Sequence, residues 1–120
     1  MKAVCHTAFA AFKTNGGATC RAPSGNCNAP KAGFALALDK STELAIRASK
    51  LSAKGICAYV ARHWQALTRP NAYLGLWQDG PCAYLDVSTV LRNKAKALAL
   101  ARKARQKAIF NLATGQSLPV

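Results

Sequence analysis

Apolar and polar positions recur along this chain with two periods, and the switches between them mark out its elements. Residues 3–12 are an Ala/Phe-rich apolar run that Thr14-Asn15-Gly16-Gly17 interrupts. Asn-Gly and Gly-Gly are turn signals, because glycine accepts positive φ without a Cβ clash. Residues 21–32, with Pro23, Gly25 and Pro30, read as a loop. Gly33-Phe34-Ala35-Leu36-Ala37-Leu38 then predicts a short strand with Phe34, Leu36 and Leu38 on one face. A turn follows at Asp39-Lys40-Ser41-Thr42. Beyond it Leu44, Ile46 and Ala48 alternate with polar neighbours such as Arg47, which favours a returning strand. A short helix over 43–51 is the alternative, since Ala, Leu, Lys and Glu are good helix formers.

The clearest helical period covers about 53–67, where Ile56, Tyr59, Val60, His63, Trp64 and Leu67 repeat at helical spacing. Ser52 is its N-cap, because a hydroxyl there accepts from a free amide of the first turn. Arg69-Pro70-Asn71 ends it, since the residue before proline is pushed out of the α region. Tyr73–Trp77 and Ala83–Val87 flank Gln78-Asp79-Gly80-Pro81 and read as a hairpin. Asn93 caps a second helix over about 94–106, whose apolar stripe is the narrow set Ala97, Leu100, Ala101 and Ala104. Residues 108–112 read as a strand, and Ala113-Thr114-Gly115 turns it towards Ser117–Val120. With no repeat and no linker, the expectation is one α+β domain over 1–120: a single antiparallel sheet with two helices packed on one face.

Composition bounds this picture. At 120 residues the chain builds one core rather than two, and 51% hydrophobic content is too high for wholesale disorder. No apolar run approaches the roughly 18 residues needed to span a bilayer. The start, Met1-Lys2-Ala3-Val4-Cys5-His6, has one charge and then a polar interruption, a poor match to a signal peptide. The expectation is a soluble intracellular protein without membrane contact. Five cysteines, Cys5, Cys20, Cys27, Cys57 and Cys82, are odd in number and irregular in spacing, unlike a disulfide framework. Cys57 falls on the apolar side of the 53–67 helix, where a buried reduced thiol is usual. Cys20 and Cys27, with Cys5-His6 upstream, leave incidental thiols, a loop disulfide or a Cys/His metal site open. Their spacing matches none of the common ligand pairs two to four residues apart, so no metal is assigned.

Charge changes the picture most. There are 17 Lys+Arg against 4 Asp+Glu, a formal net charge of +13. After Asp86 no acidic residue occurs, while Arg92, Lys94, Lys96, Arg102, Lys103, Arg105 and Lys107 all follow it. On a continuous helix Lys96, Lys103 and Lys107 cluster on one side and Lys94, Arg102 and Arg105 on the other flank. Without an acidic i,i+4 partner, like-charge neighbours cost a few tenths of a kcal/mol each. Lys94 and Lys96 also occupy the first turn, where the helix dipole disfavours cations. A solvated face normally mixes signs, so these seven residues predict an anionic partner, nucleic acid or an acidic protein surface. The bland reading is that the excess cations merely confer solubility. Trp64, Tyr73, Trp77, Tyr84 and Phe110 mostly occupy positions expected to face the core rather than to stack on bases. No ribonucleoprotein aromatic signature, paired finger or helix-turn-helix is present, so sequence-specific readout is not expected.

Catalytic signals are weak. Asp39, Glu43, Asp79 and Asp86 are scattered, whereas general acid–base work needs groups converging on one bond. Asp86-Val87-Ser88 offers a carboxylate and a hydroxyl to one site, but reads better as a strand end whose side chains bond local backbone. His63 reads as a structural histidine at the edge of an apolar stripe. His6 with cationic neighbours is the one hint of a metal-free ribonuclease. Thr14–Thr19 lacks the Gly-Lys-Ser/Thr ending of a phosphate loop and reads as a turn. No catalytic residue, metal or cofactor is assigned.

The segment YLGLWQDGPCAYLDVSTV, followed by ALALARKARQKAIFNLATG and preceded by NGGAT…NAPKAGFALAL, resembles a group of small proteins found in phages, plasmids and integrated elements of bacteria. The resemblance spans most of residues 14–115 and supplies no catalytic residues. Such proteins usually carry acidic residues where this chain has Asn93, Lys94 and Lys96, which makes the basic helix peculiar to it. The resemblance implies a mobile-element setting, where small single-domain proteins often block a host machine; an anti-CRISPR or other anti-defence inhibitor is one form. The expected function is thus non-enzymatic binding to nucleic acid or a host nucleoprotein complex, by occlusion. The alternative is a virion protein whose basic side faces packaged nucleic acid; a small ribonuclease or transferase using His6 and His63 is the third reading.

Overall fold

The hairpin around Asp79-Gly80 is the centre of the sheet. In the computed structural model, which describes residues 2–27, 30–37 and 39–120, β4 (Ala72–Asp79) and β5 (Cys82–Leu91) pair antiparallel from Ala72↔Thr89 to Asp79↔Cys82. Gly80, at φ +59, and Pro81 close the turn. β1 (Gly17–Cys20) joins the other edge of β4. The second edge of β5 is divided: β3 (Leu44–Arg47) pairs with Cys82–Leu85 and β2 (Phe34–Ala37) with Ser88–Leu91. β6 (Ala108–Asn111) and β7 (Gln116–Pro119) continue outward from β2, and the whole sheet is antiparallel and curled. The α+β expectation therefore holds. The returning strand exists, but it lies against β5 rather than β2. The intervening turn carries the chain away: Asp39 Oδ1 accepts from Ser41 N at 2.9 Å, capping a 3-10 turn over Lys40–Thr42. Leu38, expected at the end of β2, lies outside the described residues.

Four helices form among the described residues, where two were expected. The apolar run near the start is α1 (Lys2–Asn15), which buries Val4, Cys5, Ala8 and Phe12 along one side. The 53–67 period divides into α2 (Ala53–Arg62) and α3 (Trp64–Leu67), because His63 leaves helical geometry at φ −108, ψ 21. Ser52 does cap α2, accepting from Gly55 N at 3.0 Å. Asn93 caps α4 (Lys94–Lys103), accepting from Lys96 N at 3.0 Å. α4 ends three residues earlier than its period suggests. Arg105 takes φ +57, its N–H donates to Arg102 O at 3.0 Å, and Gln106 N–H donates to Ala101 O at 2.8 Å. That is a Schellman closure with arginine in the place glycine usually takes.

Strand parity puts every helix on the same side of the sheet. Leu74, Leu76, Ala83 and Leu85 form the larger core with Val4 and Phe12 of α1, Ile56 and Val60 of α2 and Leu67 of α3. Leu36 and Ile109 form a second, smaller core with Ala97 and Ala101 of α4. Leu98 completes that cluster, whereas Leu100, expected in the stripe, is 39% exposed.

The cysteine reading needs correction. Cys5 of α1 and Cys57 of α2 form a disulfide with Cα atoms 5.3 Å apart, so Cys57 is not a reduced core thiol. Cys20 and Cys27 form a second one, settling the three options for that loop in favour of the disulfide and removing both as metal ligands. Cys82 is the free cysteine. Among the described residues, no helix is long and apolar enough to cross a membrane.

Candidate functional site

α4 and its flanks carry the cations. Ala97 and Ala101 turn one side of the helix to the small core, which leaves the charged positions to solvent. Arg92, Lys94, Lys96, Arg102, Lys103, Arg105 and Lys107 are all exposed, and among the described residues none makes an ion pair. Lys96 and Lys103, seven apart, share one side of α4. The continuous stripe running on to Lys107 does not form, because the Schellman closure takes Arg105 and Lys107 off the helix. Lys107 instead leads into β6 and reaches the rim of a groove on the opposite side of the sheet.

That groove is the concave face that no helix among the described residues covers, with a volume of about 1150 Å³. Parity again decides what faces it. Since Leu74, Leu76, Ala83 and Leu85 point into the core, Trp77, Tyr84, Asp86 and Ser88 point the other way. Trp77 and Tyr84 are direct cross-strand partners, with rings stacked at 4.4 Å between centroids. Trp77 is 41% exposed and Phe110 of β6 is 38% exposed. Their expected core-facing role is therefore corrected: the alternation in Tyr73–Trp77 gives its buried phase to leucine and its open phase to aromatics.

Asp86 forms the floor. Only 6% of it is exposed, and it lies opposite Gly75 in the β4–β5 register. A Cβ at position 75 would collide with the Asp86 carboxyl, so glycine is required there to let the side chain lie against the neighbouring strand. Ser88 Oγ donates to Oδ1 of Asp86, and Trp77 Nε1 donates to Oδ2 at 3.3 Å. The Asp86-Val87-Ser88 segment thus lies inside β5, not at its end, and its side chains bond one another rather than local backbone. Burial pushes the Asp86 carboxyl above the ordinary aspartate range. The bonds from Ser88 and Trp77 pull it back in part, and the Glu43 charge adds to the rise.

A raised folded pKa has a definite sign in stability. The folded state holds the Asp86 proton more tightly than the unfolded chain does. Stability is therefore greatest at low pH and falls as pH climbs from the unfolded value, about 4, through the folded one. Asp86→Asn keeps one acceptor for Trp77 and gives Ser88 a donor, without the charge. Its melting temperature is expected to exceed that of the unsubstituted protein at pH 7, with the gain shrinking towards about pH 4. Melting curves across that range check it; a gain that grows on acidification contradicts the assignment.

Around this floor the groove is lined by Lys31, Lys40 and Lys107 and by the carboxylates of Glu43 and Asp79. Gln106 lines it too, and its Nε2 is buried with no hydrogen-bond partner among the described residues. The arrangement can stack a flat ring, satisfy donors and acceptors at the floor and hold an anion at the rim. The histidines stand elsewhere: His6 is exposed on α1, and His63, at the α2–α3 break, lies 4.5 Å from the Tyr59 ring. No hydrogen bond or ring contact joins them among the described residues. Tyr59 donates to Thr42 O at 2.6 Å, and burial pushes its hydroxyl pKa upward. Comparisons with protein-family models, curated proteins and solved structures give no match.

Proposed function

We propose that this is a non-enzymatic binding protein that engages nucleic acid, alone or within a host nucleoprotein complex, and acts by occlusion. The observation that carries this reading is the set of seven exposed cations on α4 and its flanks, without an ion pair among the described residues. Two of them, Lys94 and Lys96, stand against the dipole of their own helix, an arrangement that costs stability unless an anion covers it. An inhibitor of host defence carried by a mobile element is the form suggested by the resemblance in the chain's two halves. The bacterial cytoplasm is the setting that goes with that form. The two disulfides weigh against it, since such bonds persist mainly in oxidising compartments.

Phosphate binding releases condensed counterions, so affinity falls with salt by roughly one log–log unit per contacted phosphate. For a labelled duplex titrated between about 50 and 200 mM salt, a slope between about −3 and −6 is expected. Fluorescence anisotropy reads it directly. An affinity that does not change with salt removes the electrostatic basis of the proposal.

A further inference from the structure

Resting on the nucleic-acid reading above, we infer that the uncovered concave face of the sheet is a groove for single-stranded nucleic acid, in which bases stack on Trp77 and Phe110 while phosphates follow Lys31, Lys40 and Lys107. Single-strand sites combine aromatic platforms, which suit the π-face of any base, with cations along a groove. Both components occur here on one face. Trp77 and Phe110 hold large apolar surfaces in the open, on strands β4 and β6, three steps apart in the order β4-β5-β2-β6. Trp77 registers with Tyr84 and Phe110, through Ala35, with Val90, six residues further along β5. At about 4.8 Å per step across the sheet and about 3.3 Å per residue along it, the separation is roughly 25 Å on a flat sheet and shorter on a curled one, so a strand of several nucleotides reaches both rings.

The polar groups at the floor fit the same occupant. A base edge carries donors and acceptors together. Asp86 offers carboxylate lone pairs beyond those taken by Ser88 and Trp77, and Gln106 lines the same groove. Glu43, Asp79 and Asp86 would suit an organic cation as well, but such a ligand must approach a molecule of net charge +13, whereas a polyanion is drawn towards it. Lys107 belongs both to the basic flank of α4 and to the groove rim, so one strand passing along the groove runs on to the proposed contact surface. A duplex hides its base faces and has access only to the cations.

The test compares a labelled oligodeoxycytidine of about 12 nucleotides with a duplex of the same length, by anisotropy at one low salt concentration. The single strand is expected to bind more tightly. Trp77→Ala and Phe110→Ala should each weaken single-strand binding by about 5- to 100-fold, leave duplex binding within about twofold, and Trp77→Phe should restore most of the loss. Phe110→Ala leaves the Trp77–Asp86 bond intact, so it decides the matter if Trp77→Ala proves unstable on melting. Equal affinity for both forms, insensitive to either alanine variant, overturns the groove while leaving the basic-surface reading standing. Failure to bind either form overturns both.

Discussion

Replacing Cys5 and Cys57 together by alanine is expected to lower the free energy of unfolding by about 4 kcal/mol. The bond joins positions 52 residues apart, so in the unfolded chain it forbids most of the conformations that two free helices would explore. The second bond closes a separation of only 7 and contributes about 2 kcal/mol by the same relation. Alanine is the right replacement because Cys5 is buried in the larger core, where a serine hydroxyl would need a partner. In a domain of this size the loss corresponds to a fall in melting temperature of roughly 15 °C. A double variant that melts with the unsubstituted protein would mean that the two sulfurs are not bonded. Thiol titration of the freshly isolated, unfolded protein gives the independent reading. One reactive thiol, Cys82, is expected, and five would place the chain in a reducing compartment.

Reversing Lys94, Lys96, Lys103 and Lys107 to glutamate is expected to cut nucleic-acid affinity by roughly a hundredfold or more and to remove most of its salt dependence. The formal charge falls by eight, from +13 to +5. All four side chains are exposed, so no buried contact is lost with them. The stability effect has the opposite sign at two positions. Lys94 and Lys96 stand in the first turn of α4, where a carboxylate is favoured by about 0.3–1 kcal/mol, so the pair Lys94→Glu and Lys96→Glu should melt slightly higher while binding less well. Binding isotherms and melting curves on the same preparations separate the two effects. Unchanged affinity in the fourfold variant would free α4 from the role given to it.

Much of the fold is legible in local pattern. The Asp-Gly hairpin, Ser52 and Asn93 as caps, and the strand at 108–112 all rest on interactions within a few residues, and each is found. What local pattern cannot carry is partner choice. β3 obeys its alternation yet pairs with β5, and Cys5 meets Cys57 only because α1 packs on α2. The helix at the start reads as a featureless apolar run because Ala and Phe fill both its buried and its half-open positions. The cations on α4 and its flanks are legible one by one, but the turn at Arg105 redirects the last of them. The groove was half visible. The alternation in Tyr73–Trp77 and the Asp86-Val87-Ser88 spacing hold its aromatic wall and its floor, yet only the shared sheet face brings them together with Phe110 and Gln106. The decisive residue there is Gly75, whose missing side chain makes room for a carboxyl eleven positions later.

The two hydrophobic cores divide the labour of the molecule. Both disulfides fasten elements of the larger one, while the helix that carries the cations is seated on the smaller, against Leu36 and Ile109, with Ala97, Ala101 and the half-buried Leu98 as its contacts. Local opening draws on the part with the fewest apolar contacts. The α4 flap can therefore loosen, reseat or accept substitutions while the cross-linked body stays folded. Charge on the outer surface of α4 is free to be rewritten for a new partner with little risk to the rest of the chain.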